Sequence, residues 1–241
     1  MKRVMLVMIL VVGLLIPSIS FAADQIGVYV APKFVYGLVQ TQGTNLYETE
    51  VGEPTFKLKI GSKTDSTFGG SLAIGYDFDK KFNIPVRAEI EYSAFSRADA
   101  EKKFTDGNQS MTIKQQFGIQ TLFANAYWDI NTGTKFTPYL GAGLGMAFIS
   151  TKYNAKLVDS GNSFSSGFNS SSKNVTNFAW NVGAGLGYDI NDSWTVDVGY
   201  RFVGLGSVKT NSISPYDDAG IHMKTNNLYQ HQFSLGVRYT F

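Results

Sequence analysis

Residues 136–148 have the sequence FTPYLGAGLGMAF, in which an apolar residue occupies every second position. Leu140, Leu144 and Phe148 fall on one side of this alternation, and Gly141 and Gly145 fall on the other. A period of two residues is typical of a β-strand whose two faces meet different surroundings. The stretch from Trp180 to Ile190 repeats the pattern, so the fold is predicted to be all-β.

Working outward from these two stretches, the same alternation recurs to give eight predicted strands. They are Val28–Leu38, Phe68–Phe78, Ile84–Phe95, Gln115–Ile130, Phe136–Phe148, Trp180–Ile190, Trp194–Leu205 and Leu228–Phe241. Each has roughly the ten residues that a tilted strand needs to cross a bilayer.

The connections between the predicted strands alternate strictly between short and long. Short turns occupy 79–83, 131–135 and 191–193, whereas long polar connections lie near 39–66, 96–114, 151–177 and 207–227. This pattern predicts an eight-stranded antiparallel up-and-down transmembrane β-barrel with four long extracellular loops and three short periplasmic turns. Strand one is expected to pair with strand eight, because an open edge would leave amides unsatisfied in lipid.

The amino terminus has the features of a secretory signal peptide. A basic start is followed by the apolar run 4–16 and by small residues at Ser20 and Ala22. We expect a signal peptide at 1–22 and a barrel domain at 23–241, located in the bacterial outer membrane. An uncleaved anchor helix is the alternative, although 13 apolar residues fall short of the roughly 20 that span a bilayer.

Alternation alone does not distinguish a membrane barrel from a soluble barrel that is apolar inside. The polar face here is rich in glycine and carries few charges of mixed sign, which favours a crowded, self-neutralising lumen over a water-facing surface. We therefore predict a lumenal charge network, with a gate in a narrow pore as the alternative role. Its predicted members are Lys33, Arg87, Glu89, Glu91, Asp197, Arg201 and Arg238.

An aromatic residue followed by an acid and an apolar residue ends three descending strands. The three copies begin at Tyr76, Trp128 and Tyr188. Together with Trp194 and Tyr239, these rings are predicted to form an aromatic girdle at the periplasmic interface.

The last ten residues, QFSLGVRYTF, resemble the β-signal of outer-membrane proteins. The residues 138–145 and 197–201 are also similar to motifs of the OmpA-type transmembrane domain and of the opacity-protein surface antigens. The resemblance implies an assembly signal read by the barrel-assembly machinery, with function carried by variable loops. Its alternating residues are Phe233, Leu235, Val237, Tyr239 and Phe241.

The sequence offers little for catalysis, cofactors or metals. It has no cysteine and two histidines, and removal of 1–22 leaves 19 basic against 19 acidic residues, which disfavours nucleic acid as a partner. His231 and Ser234 are three apart on one strand and so point to opposite faces. Asp217, Asp218 and His222 could hold a divalent cation, but a solvated turn is favoured. No catalytic, cofactor-binding or metal site is predicted.

The leading functional hypothesis is a surface protein with a structural or loop-mediated adhesion role. Its expected partners are outer-membrane lipid and lipopolysaccharide, the assembly machinery, and a surface ligand or host receptor. Phe164 and Phe168 in loop three are expected to pack locally, with receptor contact as the alternative. The other hypotheses are a narrow channel for ions or small hydrophobic molecules and, less favoured, a lipid-modifying enzyme.

Overall fold

The computed structural model describes residues 26–241 except 51–52, 107–108, 160–163, 170–172, 210–212 and 217–218, so the expected signal peptide at 1–22 lies outside the described residues. Nearly all of the described chain is β-strand. The strands are β1 (Val28–Glu50), β2 (Glu53–Asp77), β3 (Val86–Phe95), β4 (Ala98–Asp106), β5 (Gln109–Asp129), β6 (Phe136–Asp159), β7 (Phe164–Asn169), β8 (Lys173–Asp189), β9 (Trp194–Lys209), β10 (Ile213–Tyr216) and β11 (Ala219–Thr240). One short helix, α1 (Asp79–Phe82), interrupts them. No helix within these described ranges is both long and apolar enough to cross a membrane.

Eight of the strands close into an antiparallel barrel, which confirms the predicted strand number and topology. The order around the barrel is β1–β2–β3–β5–β6–β8–β9–β11, and β11 returns to β1. A path that passes from each residue to its ladder partner on the next strand starts at Pro85, just before β3, and returns after one circuit to Phe95 of β3. The register of the barrel is therefore staggered by ten residues. Such a stagger tilts the strands by about 35–45° from the barrel axis.

The alternation of the sequence matches the two faces of the barrel wall. Leu140 and Leu144 are exposed on the outside of β6, at 53% and 61% of their surface. Gly143 and Ala147 on the same strand are buried inside. The wall therefore presents its apolar positions outward, as a lipid-facing barrel requires.

The strands extend well beyond their predicted ends, and the predicted long loops are corrected accordingly. β1 and β2 remain paired as far as Glu50 and Glu53, and β5 and β6 as far as Gln109 and Asp159. These connections are polar, but their residues still alternate in character along the chain. Each also lies beside another strand, so the backbone ladder continues into it. β4, β7 and β10 add short strands at this end. At the opposite end, β3 begins at Val86 rather than Ile84, because Pro85 cannot donate to a ladder.

Above the barrel wall, the sheet divides into two ribbons. The β2–β3 ladder ends at Gly69 and Phe95, and the β8–β9 ladder ends at Trp180 and Gly204. We call the two sides ribbon A (44–50 of β1, 53–61 of β2, 208–209 of β9 and 219–225 of β11) and ribbon B (β4, 109–117 of β5, 151–159 of β6, and β7). Because four strands lie on each side, the two seams are opposite one another.

Candidate functional site

The lumen nearer the short turns is filled by a chain of ion pairs. Lys33 Nζ lies 2.8 Å from Glu89 Oε1 and 2.6 Å from Glu91 Oε2. Arg201 Nη2 lies 2.5 Å from the other oxygen of Glu91. The four side chains thus alternate in sign, and both carboxylates are almost completely buried.

Two further ion pairs lie closer to the short turns. Arg87 donates two hydrogen bonds to Asp129, at 2.6 and 2.8 Å. Arg238 Nε lies 3.4 Å from Asp197 Oδ2. The structure therefore brings all seven residues of the predicted charge network inside the barrel. Asp129 was not among the predicted members of the network, although its place beside outward Trp128 at a strand end indicates an inward carboxylate.

Tyrosines hold this ionic layer in place. The hydroxyls of Tyr29 and Tyr127 donate to Glu89 at 3.1 and 2.7 Å. The guanidinium of Arg87 lies 5.0 Å from the ring centroid of Tyr127 and 4.9 Å from that of Tyr139, within the range of cation–π attraction. Three large rings and an arginine thereby fill much of the cross-section.

Glycines make room for these rings. A Cβ placed on Gly75 would collide with the ring of Tyr29, and a Cβ placed on Gly185 would collide with that of Tyr139. The glycine-rich face read from the sequence is thus a set of sockets for large neighbouring side chains. A cavity of about 40 Å³ lies among these side chains, which is room for roughly three water molecules. Ser71 and Asp197 line it, and Ser71 Oγ and Asp197 Oδ1 are buried without a hydrogen-bond partner.

The lumen nearer the ribbons is filled mainly by apolar side chains, with buried Gln230 between Val39 and Val203, which corrects the expectation of a wholly polar lumen. Val39 follows Lys33 along β1, and Val203 and Leu205 follow Arg201 along β9. We call this cluster the apolar layer; its buried members are Val39, Ile119, Phe123, Ala147, Ile149, Ala179, Val203, Leu205 and Leu228. The sequence signal was present in apolar doublets such as 122–123, 148–149 and 202–203, because strands with apolar surroundings on both faces lose their alternation.

A side-chain amide bridges one seam at the level of the apolar layer. Where the β8–β9 ladder stops, Asn177 Nδ2 donates to the carbonyl oxygens of Leu205 and Ser207 at 2.9 and 2.8 Å. Gly206, between them, has φ +79°, a conformation that disfavours other residues. The side chain of Asn177 thus replaces backbone ladder bonds.

The outer wall carries aromatic rings near both ends. Of the predicted girdle, Trp128, Tyr188 and Trp194 are exposed at the short-turn end, and Tyr239 packs 4.8 Å from Trp194. Tyr76 packs 4.8 Å from Phe78 at the same end. A second band, which the sequence analysis did not identify, runs across β2, β1, β11, β9 and β8 nearer the ribbons. Its rings are Phe34, Tyr36, Phe68, Trp180, Tyr200, Phe202, Tyr229 and Phe233.

The remaining predicted residues, those of the assembly signal together with His231 and Ser234, lie on β11 or directly after it. Phe233, Leu235 and Val237 are exposed on the outer wall, and Tyr239 and Phe241 continue the same face. His231 also faces outward, where its Nδ1 lies 2.8 Å from the hydroxyl of Tyr200. Ser234 faces the lumen and donates to the Gly199 carbonyl at 3.4 Å, so the structure does not bring His231 and Ser234 together.

Backbone register gives ribbon A two chemically different faces. Directly opposed residues, and residues two apart on a strand, share a face. One face carries Lys57, Lys59, Lys209, Lys224, His222, Asn45 and Tyr47. The other face carries Phe56, Leu58, Leu46, Met223, Ile221 and Glu48. We call the first of these register faces the basic face of ribbon A; its basic residues belong to β2, β9 and β11.

Ribbon B is also two-faced, but its polar face has mixed charge. Lys103, Lys114, Lys152 and Lys156 share a face with Asp99 and Glu101. Phe164 and Phe168 pair with Asp159 and Ala155 and so share the opposite face with Ile113, Met111 and Leu157.

The candidate cation site in the fourth extracellular connection is not assembled within the described chain. Asp217 and Asp218 lie outside the described residues, and His222 pairs with Tyr47 in ribbon A. The part of the chain that the structure describes contains no group of three or more histidine, cysteine, aspartate or glutamate side chains arranged to hold a metal ion.

Comparison with known proteins gives one consistent result. The family model for the outer membrane protein beta-barrel domain matches residues 10–241. The outer membrane protein PagN of Salmonella typhimurium is 29% identical over 244 residues, which cover 96% of this chain and 97% of that protein. A Rickettsia conorii protein provisionally named adhesin RC1281 is 27% identical over 71% of this chain and 68% of its own. The crystal structure of Neisserial surface protein A aligns over 89% of this chain and 97% of its own, at 19% identity and a TM-score of 0.47.

Proposed function

The chain belongs to the outer-membrane protein β-barrel domain family and lies in the bacterial outer membrane, and on this premise we propose that it is an adhesin whose ribbon A binds an anionic partner surface. In this orientation the short turns face the periplasm and the ribbons stand outside the cell. The rigid barrel holds the ribbons in place, as scaffolds commonly do for binding segments.

The basic face of ribbon A is the observation that carries this proposal. Lys59, Lys224 and Lys209 occupy one register row, with only Asn45 between the first two. Lys57 and His222 occupy the next row on the same face. A cluster of one sign attracts polyanions and accelerates their association, and salt weakens that attraction. The provisional naming of the Rickettsia relative as an adhesin agrees with this role.

Adhesion can be tested on intact cells that display the full chain, with beads coated in dextran sulfate as the polyanion and uncoated dextran beads as the neutral control. Replacing Lys57, Lys59, Lys209 and Lys224 by Gln should reduce dextran sulfate binding at least about tenfold. The matched control replaces Lys103, Lys114, Lys152 and Lys156 of ribbon B, which share their face with acids, and should retain most binding. Equal losses in both variants, or equal binding of both beads, would refute the role of ribbon A.

We further propose that the lumen is a plug rather than a channel. The ionic layer is internally paired, and the apolar layer covers it on the extracellular side. An ion crossing the apolar layer would lose most of its hydration, and buried polar side chains such as Gln230 could replace only part of it. Planar-bilayer recordings of the purified chain should therefore show no conductance steps, and regular steps that change with Glu89→Gln would establish a pore instead.

The outer wall supports the proposed membrane and assembly partners. Its aromatic bands are suited to the two interfaces with outer-membrane lipid and lipopolysaccharide. The outward row from Phe233 to Phe241 is the proposed signal for the assembly machinery. Deleting Phe241 should leave aggregated chain in the periplasm, and normal heat-modifiable protein in the outer membrane would contradict this assignment.

We propose no enzymatic activity. The separation of His231 from Ser234 across the wall supports this view, because a serine nucleophile needs a histidine within hydrogen-bond reach. Altered lipid A in cells that overproduce the chain would overturn it.

A further inference from the structure

The first periplasmic turn differs from the other two in that it carries a cluster of aromatic rings. The ring centroid of Phe78 lies 4.8 Å from that of Tyr76 and 6.2 Å from that of Phe82. α1 ends at Phe82, and the left-handed backbone of its C-cap residue Asn83 turns the chain back toward the barrel. Phe82 and Ile84 nevertheless remain about half exposed. The turn thus presents apolar surface at the edge of the girdle.

The second and third turns are polar and are closed by their own hydrogen bonds. In turn 131–135, the Thr132 and Thr134 hydroxyls are 2.8 Å apart, and Gly133 N donates to Asn131 Oδ1 at 2.9 Å. In turn 191–193, Asn191 Oδ1 accepts from Ser193 N at 3.0 Å. Neither turn contains an aromatic residue. The first turn is therefore the one that carries an aromatic side chain, Phe82, within the turn itself, whereas exposed Ile130, Phe136 and Ile190 flank the other two turns.

The first turn also carries two adjacent basic residues. Lys80 and Lys81 are both exposed, and Lys81 Nζ lies 5.7 Å from the ring centroid of Phe82. Asp79 is the acidic residue of this turn, and its backbone nitrogen donates to Asp77 Oδ1 at 3.0 Å. The exposed turn has a net positive charge directly beside its apolar surface.

We propose that this turn binds the anionic headgroup of a glycerophospholipid in the inner leaflet of the outer membrane. The aromatic cluster holds the turn at the interface, where amphipathic rings prefer to lie. Lysine side chains at this depth extend toward headgroup phosphates. Basic residues beside apolar anchors are the usual combination for recognition of anionic lipid surfaces. The occupant is an anionic phospholipid because its net negative headgroup complements the net positive charge of the turn, whereas a zwitterionic headgroup has no net charge.

Native mass spectrometry of the full chain, released from detergent with added phosphatidylglycerol or phosphatidylcholine, tests the proposal. The unaltered chain should retain phosphatidylglycerol about tenfold better than phosphatidylcholine. The variant Lys80→Gln/Lys81→Gln should lose this preference. The charge-matched control Lys135→Gln/Lys152→Gln removes exposed lysines from the second turn and from ribbon B, and it should keep the preference.

Heat-modifiable electrophoretic mobility establishes that each variant is folded, and Lys81→Gln alone provides a milder change if the double variant is not. Phe82→Ser separates the two parts of the site, since it should weaken retention of both lipids while leaving the ratio above one. Equal retention of the two lipids by the unaltered chain would overturn the proposal. So would equal loss of preference in the test and control variants, which would indicate general charge attraction rather than a site in the first turn.

Discussion

The periplasmic and extracellular halves of the lumen are filled by opposite chemistries. In the periplasmic half, the strands are fully laddered and the interior is ionic, centred on Glu91 and its two cations. In the extracellular half, the β2–β3 and β8–β9 ladders end, and the interior is apolar. The difference suggests a division of labour: buried charges lie where the wall is complete, and apolar packing holds the strands together where hydrogen bonding stops.

Removing the central carboxylate of the ionic layer should have the largest effect. Glu91→Ala removes a buried carboxylate from half-buried Arg201 and leaves Lys33 with Glu89 alone. Breaking a buried pair from one side is expected to lower the free energy of unfolding by about 3–5 kcal/mol. Urea unfolding in lipid vesicles measures this change. The control Asp192→Ala removes an exposed carboxylate in the third turn and should change stability by less than about 1 kcal/mol.

Truncating the apolar layer should have a somewhat smaller effect. Leu205→Ala opens a cavity in a cluster that is fully buried, which should lower the free energy of unfolding by about 2–4 kcal/mol. Leu205→Met nearly conserves volume and should cost less than about 1.5 kcal/mol. If both variants unfolded at the urea concentration of the unaltered chain, the apolar layer would not be holding the two seams.

Removing the bridge across one seam should have the smallest effect. Asn177→Ala leaves the carbonyls of Leu205 and Ser207 without its amide, and the expected loss is about 1 kcal/mol. Asn174→Ala, at an exposed position on the same strand, is the control and should leave the urea midpoint unchanged. A loss as large as that for Glu91→Ala would mean that the seam, and not the ionic layer, limits the stability of the barrel.

The barrel could be predicted from local patterns because its signals are local. Alternation identified all eight barrel strands, and the lengths of the connections identified the end of the barrel that carries only short turns. The seven charged residues were also identified, because the outer face of the wall contacts lipid and charged residues of the wall therefore face the lumen. The apolar layer was missed because alternation was read as one apolar face, although Phe123 and Val203 follow apolar residues directly. The ribbons were missed because polar connections such as 96–114 were read as loops, whereas neighbouring strands supply them with ladders.

The sequence by itself determined which face of each strand is apolar, where the chain turns and which residues are available for the interior. These features depend on residues that are close together in the chain, because a strand has a period of two and a turn is set by a few consecutive residues. Only the tertiary structure decided which interior residues meet. Glu91 and Arg201 are 110 positions apart, and it is the closure of the barrel with its ten-residue stagger that brings them to the same level. The pairing of β1 with β11 that closes the barrel also aligns lysines from three strands in ribbon A. Register between distant strands is a global property, because it is fixed only when the last strand pairs with the first.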